Sequence, residues 1–108
     1  MSQNYNKLVR DKIPDIIMSN GEFPVTKILN DEEYTLMLNQ KLEEEVKEYL
    51  ESGSPEELAD ILEVIRSIGI TKCLTLDDIL KIMEDKKAKR GGFDERILLV
   101  EVTNKKSR

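Results

Sequence analysis

Histidine is absent from the 108 residues, tryptophan is absent too, cysteine occurs once, and glycine and proline are sparse at five and three. Each absence closes a class of chemistry. Without imidazole there is no Ser-His-Asp or Cys-His nucleophile in its usual form, and no zinc site built on histidine. The lone Cys73 removes disulfides and thiolate-only metal sites, which need at least two sulfurs. Long apolar runs are missing as well. The longest, residues 97–100, falls far short of the ~20 residues that span a bilayer, and the N-terminal residues lack the apolar stretch of a signal peptide. A cytoplasmic, reduced chain with no membrane partner is expected. Lys and Arg number 17 against 22 Asp and Glu, a net charge of −5, which argues against nonspecific nucleic-acid binding. Any chemistry rests on carboxylates, lysine and arginine.

What is present favours helices. Hydrophobic residues make up 39% and charged residues 36%, too apolar a mixture for a disordered chain, and the length is that of a single domain, residues 1–108. Pro14 can occupy the first turn of a short helix through Ile16, Ile17 and Met18, ended by Ser19-Asn20-Gly21. Residues 25–29 follow Pro24 and read as a short strand. Asn30 with Glu33 makes a capping box that opens a helix to about Glu51, with Tyr34, Leu38, Leu42, Glu45, Val46 and Tyr49 on one side. After the break at Ser52-Gly53, Ser54 caps and Pro55 begins a helix whose expected buried side is Leu58, Ile61, Leu62, Ile65 and Ile68, ending near Gly69. So short a turn makes the two helices antiparallel neighbours.

Thr75 and Asp78 mark a further helix start, with Ile79, Leu80 and Met83 running inward to Lys86 and Arg90 before Gly91-Gly92 stops it. Residues 96–102 read as a second strand able to pair with 25–29, and residues 105–108 form a basic tail. The expected fold is all-α: an antiparallel helical bundle with a small two-stranded β element.

Glu45 and Glu48 are three apart and project from one side of their helix, and Glu57 and Asp60 repeat that spacing on the next. In an antiparallel hairpin the two pairs can face each other. Buried carboxylates so close repel and must take up protons or bind cations, and an oxygen-only ligand set suits Mg²⁺ or Mn²⁺. A Glu-x-x-Glu match in so acidic a chain more often marks a solvated face. Glu44 fits that bland reading, Glu57 has a rival role as capping-box partner of Ser54, and Asp60 lies at the edge of its stripe. Glu45 resists it, because it sits within an apolar stripe between Leu42 and Tyr49. Lys86, Lys87, Lys89 and Arg90 offset a helix dipole in the ordinary way, yet Lys86 and Arg90 are spaced to meet a phosphate together. Gly91-Gly92 is a helix cap before it is a phosphate loop.

Lys41-Leu42-Glu43-Glu44-Glu45-Val46-Lys47-Glu48 followed by Glu56-Glu57-Leu58-Ala59-Asp60-Ile61-Leu62 resembles the Glu-Glu-x-x-Glu and Glu-Leu-x-Asp signature of the MazG-like all-α nucleoside triphosphate pyrophosphohydrolases. Leu8-Val9-Arg10-Asp11-Lys12-Ile13-Pro14 and Lys86-Lys87-Ala88-Lys89-Arg90-Gly91-Gly92-Phe93 resemble the opening and closing segments of short, phosphoribosyl-ATP pyrophosphohydrolase-like members. The resemblance implies Mg²⁺ on Glu45, Glu48, Glu57 and Asp60, phosphate contacts from Lys86 and Arg90, and a bundle completed by another subunit as a homodimer or homotetramer. The link between the acid pairs, residues 49–56, is tighter than in many MazG proteins, so base preference does not transfer, and the flanks differ from true phosphoribosyl-ATP pyrophosphohydrolase.

The expected reaction is hydrolysis of a nucleoside triphosphate between the α- and β-phosphates, giving the monophosphate and pyrophosphate, and the resemblance implies house-cleaning of noncanonical nucleotides. One or two Mg²⁺ would clamp phosphate oxygens and lower the pKa of a bound water, with Glu44 as a candidate base and Lys86 and Arg90 offsetting charge on the leaving pyrophosphate. The alternative is a noncatalytic helical module that uses its apolar stripes to dimerise.

Overall fold

The computed structural model describes residues 6–104, and the basic tail at 105–108 lies outside them. The fold is all-α, with α1 at Ile13–Ser19, α2 at Asp31–Ser52, α3 at Pro55–Thr71 and α4 at Leu76–Arg90. The chain divides into two units, the first ending at Leu76 and the second beginning at Asp77.

In the first unit the helix boundaries follow local chemistry. Pro14 stands in the first turn of α1, and the helix closes where Gly21 takes a left-handed φ of 85°. There the Gly21 and Glu22 N–H groups donate to the Met18 and Ile17 carbonyls at 3.0 and 3.2 Å, satisfying acceptors the helix end would leave open. The capping box of α2 is complete: Asn30 Oδ1 accepts from the Glu33 N–H at 2.8 Å, and Glu33 Oε1 accepts from the Asn30 N–H at 3.2 Å. Gly53 ends α2 in the left-handed region at φ 67°, its N–H donating to the Tyr49 carbonyl at 2.7 Å. Ser54 then caps α3 by accepting from the Glu56 N–H at 3.3 Å.

Only Gly53 and Ser54 separate α2 from α3, so the chain reverses at once and the two helices pack along each other as an antiparallel hairpin. Leu38 on α2 and Val64 on α3 are its buried apolar side chains, at 3% and 7% exposure. Val64 was not on the expected stripe, whereas Leu58 and Leu62, which were, are exposed. The apolar face of α3 is wider than the strip α2 covers, so burial follows the neighbour rather than the pattern. The end of α3 runs two residues beyond Gly69, to Thr71. It closes with Leu74 and Cys73 N–H groups donating to the Gly69 and Ile70 carbonyls at 2.8 and 3.0 Å, and Cys73 itself holds a left-handed φ of 63°.

α4 begins directly after Thr75, as its start signals require, and runs through the second unit to Arg90, where the Gly91 N–H donates to the Lys87 carbonyl at 2.8 Å. Of the expected inward stripe Ile79 is half-buried, whereas Leu80 and Met83 are exposed, as are Lys86 and Arg90. The two-stranded element is also corrected. No strand occurs among the described residues, and Val25, Ile28, Ile97, Leu98, Leu99, Val100 and Val102 are all exposed. Their β-propensity is real, but propensity reflects a fit to a pleated, half-buried surface, and these segments have no ladder to supply one.

Candidate metal centre

Glu45 is the one buried charged residue among those described, at 6% exposure, in the same apolar stripe of α2 as Leu38 and Leu42. The helix periodicity that places Leu38 against α3 carries Glu45 there too, two turns later. Around it the hairpin gathers carboxylates in two sets. Oxygens of Glu44, Glu45 and Glu48 lie within 4.8 Å of one another, and so do oxygens of Glu45, Glu57 and Asp60. Glu45 belongs to both sets. All four residues expected as ligands, Glu45, Glu48, Glu57 and Asp60, are therefore brought into this cluster, together with Glu44.

The electrostatics are those of crowded carboxylates. Burial, and then the charge of Glu48, push the Glu45 carboxyl above the ordinary glutamate range, against the pull of Lys41. Burial raises Glu57 in the same way, followed by repulsion from Glu48, Asp60 and Glu45. Glu45 Oε2 and Glu57 Oε2 are both buried without a hydrogen-bond partner. Buried polar atoms are ordinarily paired, so two orphaned carboxylate oxygens in one cluster are groups that could hold a cation. Oxygen donors with no sulfur or nitrogen fit a hard ion such as Mg²⁺ or Mn²⁺.

Glu57 is released to this cluster by the way α3 starts. The Ser54 N–H, which a capping box would give to Glu57, donates instead to Ser52 Oγ at 3.1 Å. Two cations at the cluster escaped the sequence reading. Lys41 Nζ lies 3.4 Å from Glu45 Oε1 and 3.5 Å from a Glu44 oxygen. The three- and four-residue spacings of those pairs were a readable signal. Arg10 Nη2 donates to Asp60 Oδ1 at 2.7 Å from fifty residues away, which no local pattern announces. Nearby Glu63 is held below the ordinary range by the Arg66 guanidinium, whose Nη2 and Nε reach its carboxylate at 2.7 to 3.2 Å. Lys86 and Arg90 belong to α4 in the second unit, where both are exposed.

Fold and site together define an all-α protein with an oxygen-only acidic centre on a helical hairpin. No helix among the described residues is long and apolar enough to cross a membrane. No family model matches the chain, and no solved structure does. The chain is similar to an uncharacterized protein of Mycolicibacterium smegmatis (strain ATCC 700084 / mc(2)155), with 50% identity over 42 residues, covering 39% of this chain and 43% of that protein. The match thus spans less than half the length of that relative.

Proposed function

We propose that the protein is a cytoplasmic, Mg²⁺-dependent nucleoside triphosphate pyrophosphohydrolase of the MazG-like kind. The observation that carries the reading is the convergence of carboxylates from two helices on buried Glu45, with Glu45 Oε2 and Glu57 Oε2 left unpaired. The resemblance of the two acidic motifs and their flanks to that family supplies the reaction. Glu45, Glu48, Glu57 and Asp60 would hold the ion, and Mn²⁺ would serve as well. The ion, when bound, supplies Lewis-acid activation of a phosphate oxygen and acidification of water. The chain's own residues do the rest. Lys41 holds Glu45 and Glu44 in place, Glu44 would accept a proton from water, and Lys86 and Arg90 are the cations that the resemblance assigns to the departing pyrophosphate. House-cleaning of noncanonical nucleotides is the cellular role this reading favours.

The exposed apolar side chains Leu50, Leu58, Leu62 and Ile70 on the hairpin favour a homodimer or homotetramer, in which copies cover these faces. The same observation favours the rival, a noncatalytic dimerisation module, and the buried acid separates the two. Incubation with a panel of triphosphates and Mg²⁺, with pyrophosphate and orthophosphate assayed separately, should show pyrophosphate and monophosphate from at least one substrate, and at least a hundredfold less from Asp60→Asn. Absence of turnover across the panel, or turnover unchanged in Asp60→Asn, would sink the enzyme. Sedimentation should show more than one copy at micromolar concentration.

A further inference from the structure

The proposed reaction leaves Arg10 without a role, although its guanidinium reaches into the acidic cluster at Asp60 Oδ1, 2.7 Å away. Asp60 shares an oxygen set with Glu45 and Glu57. That set is marked as a cation site by more than its acidity, since Glu45 is over nine-tenths buried and its Oε2 has no partner. The place of Arg10 is set by the backbone: its carbonyl accepts the Ile13 N–H at 3.0 Å, closing the turn that leads into α1. Its side chain is 58% exposed and that of Asp60 37%, so the pair lies at the solvent edge of the cluster, where an anion can reach it. The neighbouring acid Glu63 has a forked partner in Arg66 and feels Arg10 only through its charge, so Asp60 is the carboxylate to which the Arg10 guanidinium donates.

We propose that Arg10 is a phosphate-binding residue of this site, one that makes the cluster take a divalent cation together with a polyphosphate in preference to the cation alone. The inference rests on the acidic cluster being a metal site. A guanidinium held against one ligand carboxylate repels a bare divalent cation and ties up a lone pair that the cation needs. A polyphosphate reverses the sign of that interaction. Its oxygens bring the negative charge that a guanidinium binds with two parallel hydrogen bonds, and Arg10 then shares or exchanges Asp60 for phosphate. One residue thus opposes the metal alone and favours the metal with its anionic partner, and by linkage each ligand strengthens the other.

The test uses the full chain and two probes that need no knowledge of the base: Mn²⁺ alone, and inorganic triphosphate in the presence of saturating Mn²⁺, both followed by titration calorimetry. Arg10→Ala should bind Mn²⁺ alone about threefold or more tightly and triphosphate about tenfold or more weakly than the wild type. Arg10→Lys keeps the charge without the fork, so it should match the wild type for Mn²⁺ and fall between the two for triphosphate. A merely structural role moves both affinities of Arg10→Ala downward, and that result, or triphosphate binding unchanged in Arg10→Ala, would overturn the assignment. Absence of Mn²⁺ uptake both by Arg10→Ala alone and by the wild type with triphosphate present would instead overturn the metal site itself, and the inference with it. Melting temperatures within about 4 °C of the wild type establish that the variants are folded, as expected for an exposed ion pair.

Discussion

Replacing Glu45 by Gln tests the centre through stability before any turnover is measured. Glu45 is 6% exposed, its Oε2 has no partner, and its Oε1 has Lys41 at 3.4 Å. A buried polar group left unpaired costs about 1–3 kcal/mol, and the substitution relieves this because the Gln amide can donate to the neighbouring carboxylates. Against that stands the lost attraction of Lys41, which retains Glu44 at 3.5 Å, so the loss is below about 1 kcal/mol. The net gain is about 1–2 kcal/mol, or a rise of about 5–10 °C in melting temperature for a chain of this size, measured by circular dichroism with EDTA present. Mg²⁺ should invert the order. At a hundred times its dissociation constant a bound ion stabilises the wild type by about 2.7 kcal/mol, more than 10 °C, and the variant by far less. Two results would refute the reasoning: Glu45→Gln melting below the wild type in EDTA, or both proteins gaining equally from Mg²⁺.

Cys73→Gly should raise the melting temperature by about 2–6 °C, since the left-handed conformation that the turn after α3 gives Cys73 at φ 63° costs a non-glycine residue about 1–2 kcal/mol, and the extra freedom glycine brings to the unfolded chain offsets about 0.5–1 kcal/mol of that relief. A thermal melt under reducing conditions checks this, and an unchanged or lower value counts against it. Glu33 supplies the pH prediction. Its carboxyl is held below the ordinary range by Lys27, 3.0 Å away, and by the Asn30 N–H. A depressed folded pKa gives stability that is present above the unfolded glutamate value and lost as the pH falls through the folded one. Acid melting of Glu33→Gln should therefore show a shallower loss of stability below about pH 4.5 than the wild type, and parallel curves would dismiss the contribution.

The legible parts of the fold were those written in neighbouring residues. Asn30 with Glu33, Gly53, Ser54 with Pro55, and Gly21 each fix a helix end by a hydrogen bond or a dihedral that spans a few positions, and the hairpin follows from how close two of those ends lie. Glu45 was legible for a related reason, because a carboxylate in an apolar stripe contradicts its own surroundings. What escaped depended on distant partners. Val64 is buried and Leu62 exposed because of where α2 lies across α3, and Arg10 meets Asp60 through a fold that brings together segments fifty residues apart. The segments around Val25 and Ile97 have the composition of strands, but composition names no neighbour with which to form a ladder.

The joint at Gly53 and Ser54 also governs when the acidic centre comes into being. All four expected ligands fall between residues 45 and 60, so closing one short hairpin assembles them, without waiting for contacts remote in the chain. Such local contacts form early and rapidly in folding. Early assembly has a kinetic consequence, since the hairpin must bring its like charges together while little else is in place to hold it. A divalent cation that bound the proposed centre during folding would remove that repulsion at the step where it is felt, and so would act on the rate at which the hairpin forms as well as on the stability of the finished protein.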